Sequence, residues 1–485
     1  MGKLIQFELK KIFKSKFNLI LLIIAIVFQC VMLNKYVFNS EYPTLHMKDN
    51  TVLSGIDMYL YYDNFYIQHQ GTVNDEYINE WKYEYYDKLD EILDKEKMIQ
   101  IYGDNYKEMM IAGENGTLNK EEVQAYVDFV KERSQKLNLE YAPISFSEEN
   151  PHNFHIDLYF EPEMEEYVYT LKVLYFDSNF ENENNYLNIL NQSKNHKIIA
   201  SEANGEVEIK DLGFLECLNP PEYELISQLN MNQINWLNEK YENIPSLMDT
   251  TIGAGILNHA FGEFIINLIY FLWLIVICSN LFAYEKDKQT DALLACSKAY
   301  KKIIMVKILT MFLLSLAVFL LSIFISSISV LTSFQIKNLH LTSYGFSIIF
   351  SGLTVILYTC YELLIRQMGL IFCSFLCVAG LSAFLSCFTK NRFISAVFMM
   401  IFTVLPMFLP MFTSGNILLS LMPLIMNHTT TYFSLNHGMA GYLLPIVDLG
   451  GTIVHTATLV CLFWIIISII LMIGCYVKQR KHIVR

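Results

Sequence analysis

Three side chains in the acidic part of the chain have the chemistry of a metal site. His152, His155 and Asp157 carry the nitrogen and oxygen atoms that bind zinc in proteins. They stand beside a predicted strand (155–160) and not on one face of a helix, and no further cluster of ligands accompanies them in the sequence. We interpret them as part of a solvent-exposed loop and expect no metal site.

Motifs that would indicate an enzyme do not occur in the sequence. The glycine-rich stretch 113–120, GENGTLNK, lacks the spacing of a phosphate-binding loop, and HExxH is absent. Glu362 and Arg366 lie one helical turn apart, so they can pair with each other and do not indicate a proton-carrying site in lipid. We therefore predict that the chain is not an enzyme and binds no cofactor directly.

A further set of charged residues forms a strip between two apolar runs. Residues 284–307 read YEKDKQTDALLACSKAYKKIIMVK, and nine of these 24 residues are charged. The neighbouring runs 264–284 and 308–331 contain no charge. A short helix-forming strip in this position can dock a soluble partner, or it can act only as the basic loop that sets membrane orientation.

The apolar runs predict membrane helices. The chain is 53% hydrophobic with a mean hydropathy of +0.32, which is high for a soluble protein of 485 residues. A helix needs about 20 apolar residues to cross a bilayer. Six separate uncharged runs favour six transmembrane helices over buried helices of a soluble core, and these runs are 17–34, 264–284, 308–331, 367–389, 393–413 and 456–477.

The residues before the first run predict a helix at the membrane surface. The stretch 3–16, KLIQFELKKIFKSK, carries five lysines against the single acid Glu8, and its apolar residues recur at helical spacing. We expect residues 1–38 to form a basic amphipathic helix on membrane lipid, followed by the first transmembrane helix.

The lysine and arginine residues predict the orientation. With the N-terminus inside, the segments predicted to be cytoplasmic hold 17 of them, whereas the other side holds three outside the large segment 39–262. Both termini are therefore predicted to be cytoplasmic. A seventh membrane helix at 346–364 would move the basic C-terminus outside, so we place 346–364 as a re-entrant or interfacial helix on the outer side. The same placement suits the short run 418–426, which would form a second outer re-entrant segment.

Residues 39–262 predict a folded domain outside the membrane. They contain 41 of the 48 acidic residues but 15 of the 35 basic ones, and Cys217 is their single cysteine. Helical and strand patterns alternate, so we predict an α+β domain inserted into an α-helical polytopic membrane protein with six transmembrane helices. The predicted elements are helices at 75–110, at 118–133 with Asn119 and Glu122 as a capping box, and from Pro221 onwards; strands at 155–160 and 167–176; and a hairpin at 202–209.

The strip resembles the loop between the second and third membrane helices of type-2 ABC transporter permeases. In that family the loop often reads E-x-x-x-GT-x-x-LLL-x-TP-x-x-R. This chain departs from the pattern at Gln289, where glycine is usual, and at Lys298, where proline is usual. The resemblance extends to the membrane part, with helices two to six in 263–485, but it does not cover 39–262. The matching residues here are Glu285, Thr290, Leu293, Leu294, and Lys301 or Lys302.

The resemblance implies the membrane subunit of an ATP-driven exporter in a bacterial plasma membrane. Such permeases carry no nucleotide site, so ATP and Mg would be bound by a separate ABC ATPase, and residues 284–302 would be the coupling helix in its groove. Leu293 and Leu294 would be the apolar contacts, with charged residues at the rim. Six membrane helices are half the usual number, which implies a second permease copy or a related permease as a further partner; no nucleic acid is expected.

The resemblance implies a peptide, an antibiotic or a lipid-like molecule as the substrate, and the sequence singles out no substrate-binding residue. A second hypothesis is a membrane-anchored receptor or assembly scaffold, whose outer domain binds a partner and whose membrane helices transport nothing. Co-purification of an ATPase distinguishes the two hypotheses.

Overall fold

The structure is a computed structural model that describes most of the chain in separate stretches. These stretches are residues 2–35, 44–68, 75–114, 118–139, 144–146, 154–176, 198–203, 206–211, 227–242, 260–261, 264–290, 293–294, 296–297, 299–333, 360–389, 391–407, 421–426 and 444–481.

The described part of the chain is mostly helical. In order, its helices are α1 (Gly2–Phe13), α2 (Lys16–Leu33), α3 (Gly55–Gln68), α4 (Asp75–Asp90), α5 (Lys95–Tyr102), α6 (Tyr106–Glu114), α7 (Lys120–Lys136), α8 (Glu165–Phe176), α9 (Met231–Glu242), α10 (Phe264–Asp287), α11 (Tyr300–Leu331), α12 (Cys360–Ser386), α13 (Arg392–Val404), α14 (Pro423–Met426) and α15 (Thr456–Lys481). The strands are β1 (Thr44–His46), β2 (Val52–Ser54), β3 (Ile144–Phe146), β4 (Phe154–Ile156), β5 (Ile199–Ala203), β6 (Glu206–Asp211), β7 (Ile446–Asp448) and β8 (Ile453–His455). They pair as four antiparallel two-stranded sheets, β1–β2, β3–β4, β5–β6 and β7–β8.

The chain forms two compact units. The first comprises Met1–Ser40, Tyr59–Gln70 and Gln192–Arg485, and the second comprises Glu41–Met58 and Gly71–Asn191. The second unit lies inside the segment predicted to form the outer domain, and the end of that segment belongs to the first unit. The boundaries 39–262 stay a prediction.

Among the described residues of the first unit, five helices are long and apolar enough to cross a membrane: α2, α10, α11, α12 and α15. The predicted run 393–413 is helical over the 13 residues of α13 and continues as a 3₁₀ turn at Leu405–Met407. Pro406 lies in that turn, where its ring and its missing N–H are incompatible with further α-helical hydrogen bonding. Residues 408–413 lie outside the described part, so the sixth membrane helix stays a prediction.

The membrane helices differ from the predicted runs mainly at their charged ends. Helix α10 continues to Asp287, and α11 begins at Tyr300, so charged residues of the strip extend the apolar helices. Helix α12 begins at Cys360, which joins the last residues of the predicted segment 346–364 to the fourth apolar run. Residues 360–364 are thus part of α12, residues 346–359 lie outside the described part, and the placement of 346–364 on the outer side stays a prediction.

The second short apolar segment, 418–426, contains the four-residue helix α14, whose side chains are buried. The indole Nε1 of Trp464 on α15 donates a hydrogen bond of 3.0 Å to the carbonyl of Leu421, just before α14. The re-entrant placement of this segment stays a prediction.

In the second unit, the predicted helix 118–133 is confirmed as α7. Asn119 accepts a hydrogen bond from the Glu122 amide, and the Glu122 carboxylate accepts one from the Asn119 amide, each at 2.9 Å. This reciprocal capping box satisfies two backbone donors that a helix start otherwise leaves without partners. The predicted apolar face is also confirmed, because Val123, Tyr126, Val127 and Val130 are all buried.

The single predicted helix at 75–110 is divided into α4, α5 and α6. Asp94 begins α5 by accepting a hydrogen bond of 3.1 Å from the amide of Lys97. Gly103 separates α5 from α6 with a φ of 86°, a backbone conformation that glycine adopts without strain.

The predicted strand 167–176 is wrong, because these residues lie in helix α8. Its buried side chains Val168, Leu171 and Leu174 are spaced by one helical turn, so one face packs inward. The short 3₁₀ turn Pro162–Met164 and the acids Glu165 and Glu166 favour a helix start here. Tertiary burial therefore outweighs the strand preference of the aromatic and β-branched residues.

The remaining predicted elements of 39–262 are confirmed in part. The predicted hairpin at 202–209 is the pair β5–β6, with its turn at 204–205 outside the described residues. The end of the predicted helix from Pro221 is α9, which begins at Met231, whereas residues 221–226 lie outside the described part. Asn230 and Gln233 exchange side-chain to backbone hydrogen bonds of 2.9 Å, and this capping box sets the start of α9.

The possible metal ligands are not assembled into a site in the described residues. His155 lies on β4, opposite Ser145 of β3, and the carbonyl of Asp157 accepts a hydrogen bond of 2.8 Å from the Tyr102 hydroxyl. His152 lies outside the described part. No group of three or more histidine, cysteine, aspartate or glutamate side chains suited to a metal occurs among the described residues.

Helix α9 packs against the hairpin β7–β8, which leads directly into α15. The side-chain amides of Asn230 and Asn232 donate hydrogen bonds of 3.0 and 2.9 Å to the Asp448 carboxylate. The Trp236 and His455 rings pack in a T-shaped arrangement with their centres 5.5 Å apart. Burial, with Arg366 and Lys240 nearby, lowers the pKa of His455 to about 4, so this imidazole is neutral at pH 7.

Candidate functional site

The strip begins where α10 ends in a left-handed residue. Gln289 has a φ of 57°. Its amide donates to the Lys286 carbonyl at 3.1 Å, and the next amide, of Thr290, donates to the Glu285 carbonyl at 2.8 Å. These two bonds form the Schellman motif, which most often places glycine at the left-handed position. Gln289, which stands where the loop pattern resembled by the strip usually has glycine, is therefore the residue with a left-handed backbone here.

The side chain of Glu285 points away from the strip and into the helices. It is 8% exposed, and its carboxylate forms ion pairs with two lysines. The Oε1 atom lies 3.1 Å from Nζ of Lys11 on α1, and Oε2 contacts Nζ of Lys307 on α11. Glu8 also lies 3.8 Å from Lys11. We call Glu285, Lys307 and Lys11 the charge cluster.

Further contacts fix both ends of the strip to other helices. Lys286 donates to the carbonyl of Cys387, at the end of α12, and Asp287 lies 4.0 Å from Arg392 at the start of α13. At the far end, the Tyr300 hydroxyl donates to the Gln479 amide oxygen of α15 at 3.1 Å. These contacts anchor the two ends of the strip to α12, α13 and α15.

The middle of the strip presents an apolar side chain to solvent. Leu293 is 76% exposed, whereas Leu294 is half-buried. Two backbone hydrogen bonds shape this part of the strip. The Leu294 amide donates to the Thr290 carbonyl at 3.1 Å, and the Ser297 amide donates to the Leu294 carbonyl at 3.0 Å. Four residues of the strip lie outside the described part: Asp291, Ala292, Ala295 and Lys298.

The predicted coupling residues therefore separate into an inner and an outer group. Glu285 and Thr290 shape the end of α10, and Leu293 with Lys301 and Lys302 is exposed on the surface. The strip 284–302 is not a single helix, because 284–287 end α10 and 300–302 begin α11. The two charged ends of the strip extend the membrane helices α10 and α11, and the residues between Asp287 and Tyr300 connect them.

The sequence alone does not mark Lys11 and Lys307 as partners of Glu285. Lys11 is one of five lysines on the predicted amphipathic helix, and Lys307 is the last residue of the basic stretch 298–307. The signal for Lys307 is its position: the 29 residues that follow it, 308–336, are uncharged, so its ammonium must find a partner on a neighbouring helix.

A second buried polar group joins three membrane helices. Gln29 of α2 donates to Ser326 of α11 at 3.0 Å, and the hydroxyl of Tyr270 on α10 donates to the Gln29 oxygen at 2.7 Å. Ser322 donates to Asn267 at 2.6 Å. Hydrogen bonds of this kind join helices within an apolar medium.

The small residues of the fourth apolar run face the chain's own helices. Ala379, Ser382, Ala383 and Ser386 of α12 are buried within the single chain. Gly380 lies near Leu471 of α15. This part of α12 therefore packs inside the subunit and does not offer a surface for a second copy.

Comparison of the chain with models of protein families, with curated proteins and with solved structures finds no match.

The left-handed residue at the end of α10 allows a direct test of the cap. We expect Gln289→Gly to stabilise this helix end, because a left-handed side-chain-bearing residue costs about 1 kcal/mol more than glycine. Hydrogen–deuterium exchange of the peptide covering 284–290 should slow in this variant and accelerate in Gln289→Val. Lys288→Gly is the matched control, because its backbone is not left-handed, and it should accelerate exchange. Faster exchange in Gln289→Gly would contradict the assigned cap.

Proposed function

We propose that this chain is the membrane subunit of an ATP-driven exporter of the type-2 ABC permease kind, powered by a separate ABC ATPase. The observation that carries the proposal is the strip: an exposed leucine, Leu293, lies in a short turn whose two ends are anchored to membrane helices. A surface that receives a movement from a soluble partner must be apolar enough to bind it and rigid enough to pass the movement on. The exposed Leu293 supports the first property, and the contacts that anchor both ends of the strip support the second.

The strip residues then have distinct roles. Leu293 and Leu294 provide the apolar contact with the ATPase, and Lys301 and Lys302 lie at its rim. Glu285 and Thr290, assigned to the same contact by the resemblance, act from behind it by setting the end of α10. ATP and Mg bind to the ATPase alone.

The finer architecture is part of the same proposal. Six membrane helices, with both termini in the cytoplasm of a bacterial cell, place the strip beside the ATPase and residues 39–262 outside. A second copy of the chain, or a related permease, completes the translocation path. The proposed substrate is a peptide, an antibiotic or a lipid-like molecule.

The proposal is tested by purifying the full-length tagged chain from its own host's membranes and identifying what remains bound. We expect a soluble chain with Walker nucleotide-binding motifs to co-purify, and its ATP hydrolysis to increase in the complex. A membrane receptor or scaffold would instead be recovered without an ATPase, and that result would overturn the proposal.

A further inference from the structure

A buried lysine at the start of α11 marks an unusual arrangement behind the strip. Lys307 is 4% exposed, and its ammonium donates to the Leu281 carbonyl and contacts the Glu285 carboxylate, both on α10. It also lies 5.2 Å from the centre of the Phe282 ring. A buried charge is tolerated only with partners of this kind, so the position of α11 relative to α10 depends on this pair.

The same carboxylate also binds a lysine from a third helix. Lys11 of α1 reaches Glu285 at 3.1 Å and lies 4.4 Å from the centre of the Tyr284 ring. Each carboxylate oxygen therefore faces one lysine, and α1, α10 and α11 meet at one residue. The three residues are far apart in sequence, since Lys11 and Glu285 are separated by 274 positions.

The backbone of Glu285 connects this cluster to the strip. Its carbonyl accepts the amide of Thr290 at 2.8 Å, and the carbonyl of Thr290 accepts the amide of Leu294 at 3.1 Å. Two hydrogen bonds thus join the exposed leucine region to the residue whose side chain holds α1 and α11. A shift of the turn that moves Thr290 also moves Glu285.

We propose that Glu285, Lys307 and Lys11 are positioning residues that transmit movement of the strip to α1 and α11 together. This inference rests on the proposed function. A burial argument supports it: a well-packed apolar pair of similar volume is often as stable as a buried ion pair, so the charges serve to fix the relative positions of three helices. The charge cluster acts through the strip and does not touch the ATPase.

The first test separates a positioning role from a contribution to stability. In the double variant Glu285→Met and Lys307→Met, both charges are replaced by apolar side chains, so we expect near-wild-type thermal stability in detergent. We also expect the ATPase to bind as tightly as to the wild type, because the exposed leucine is unchanged. Stimulation of ATP hydrolysis by the permease should fall about tenfold. If the pair serves stability alone, this variant retains full stimulation, and that result would overturn the inference.

The second test uses a variant that is not expected to disturb folding. The Lys11 side chain is about one-third exposed, so its replacement by methionine disturbs little packing. Glu285 keeps Lys307 as a partner, so Lys11→Met leaves no buried charge without a counter-charge. We expect unchanged ATPase binding and a several-fold loss of stimulation. The matched control is Lys10→Met, an exposed lysine of the same helix, and it should behave as the wild type. Full stimulation in Lys11→Met would overturn the inference independently of the double variant.

The wild-type measurement distinguishes the two levels of the proposal. If the wild-type chain neither binds nor stimulates an ATPase, the proposed function is wrong and the positioning role falls with it. If the wild type stimulates the ATPase and the cluster variants do so equally, the proposed function stands and the positioning role is wrong.

Discussion

Replacing both Leu293 and Leu294 with aspartate is expected to abolish binding of the ATPase while the permease still folds. Leu293 is 76% exposed, so its replacement removes little buried apolar contact among the described residues. In the complex, the two new carboxylates would lie in an apolar contact without partners, which costs several kcal/mol unless they escape to water. For Leu293 the loss therefore falls on association, whereas the half-buried Leu294 also contributes within its own chain, so Leu293→Asp alone isolates the effect on binding.

The measurement is co-purification of the ATPase with the full-length chain, together with the stimulated rate of ATP hydrolysis. Both should disappear in the double aspartate variant and in Leu293→Asp alone, and the single variant should keep the chromatographic profile and melting temperature of the wild type. Lys301→Ala with Lys302→Ala is the matched control, because both side chains are exposed at the rim and each contributes about 1 kcal/mol or less. The contact assignment fails if the double aspartate variant still retains its ATPase.

The second large effect is expected where α12 and α15 pack most closely. A Cβ atom placed on Gly474 would lie 2.8 Å from Cε2 of Phe384, which is closer than real side chains pack. The Phe384 ring cannot move away freely, because the Phe388 ring lies 4.9 Å from it, centre to centre. Gly474→Ala is therefore expected to lower the free energy of unfolding by about 1–3 kcal/mol.

The same substitution elsewhere on the same helix pair provides the control. A Cβ atom on Gly380 would lie 3.8 Å from Leu471, an ordinary contact, so Gly380→Ala should be neutral or slightly stabilising. Adding Phe384→Leu to Gly474→Ala should restore much of the lost stability by making room for the methyl group. Equal melting temperatures for Gly474→Ala and Gly380→Ala in detergent would contradict the close packing.

The proposed site was predictable to the extent that its chemistry is local. The strip was recognisable because charged residues separate two apolar runs, and its leucines stand out among them. The left-handed residue was not predictable from Gln289, since glutamine carries no preference for that conformation; only the bonds from Gln289 and Thr290 to the preceding turn reveal it. The coupling role of these residues stays a prediction.

The sequence by itself determined the features that depend on neighbouring residues. In the described residues, five of the six apolar runs form helices long enough to cross a membrane. A helix pairs the N–H and C=O groups of such a run with one another, so the run needs no distant partner for its backbone. The capping box of α7 and its buried face follow from side chains three and four residues apart, whatever surrounds them.

The tertiary structure decided the features that depend on distant residues. Residues 167–176 have the composition of a strand, yet they form α8 because burial of one helical face outweighs local preference. The ends of α10 and α11 extend into the charged strip because Glu285 and Lys307 neutralise each other there. Lys11 joins them from the other end of the sequence. The strength of a charge pair depends on its distance in space and its exclusion from water, and neither quantity can be read from the separation of residues along a chain.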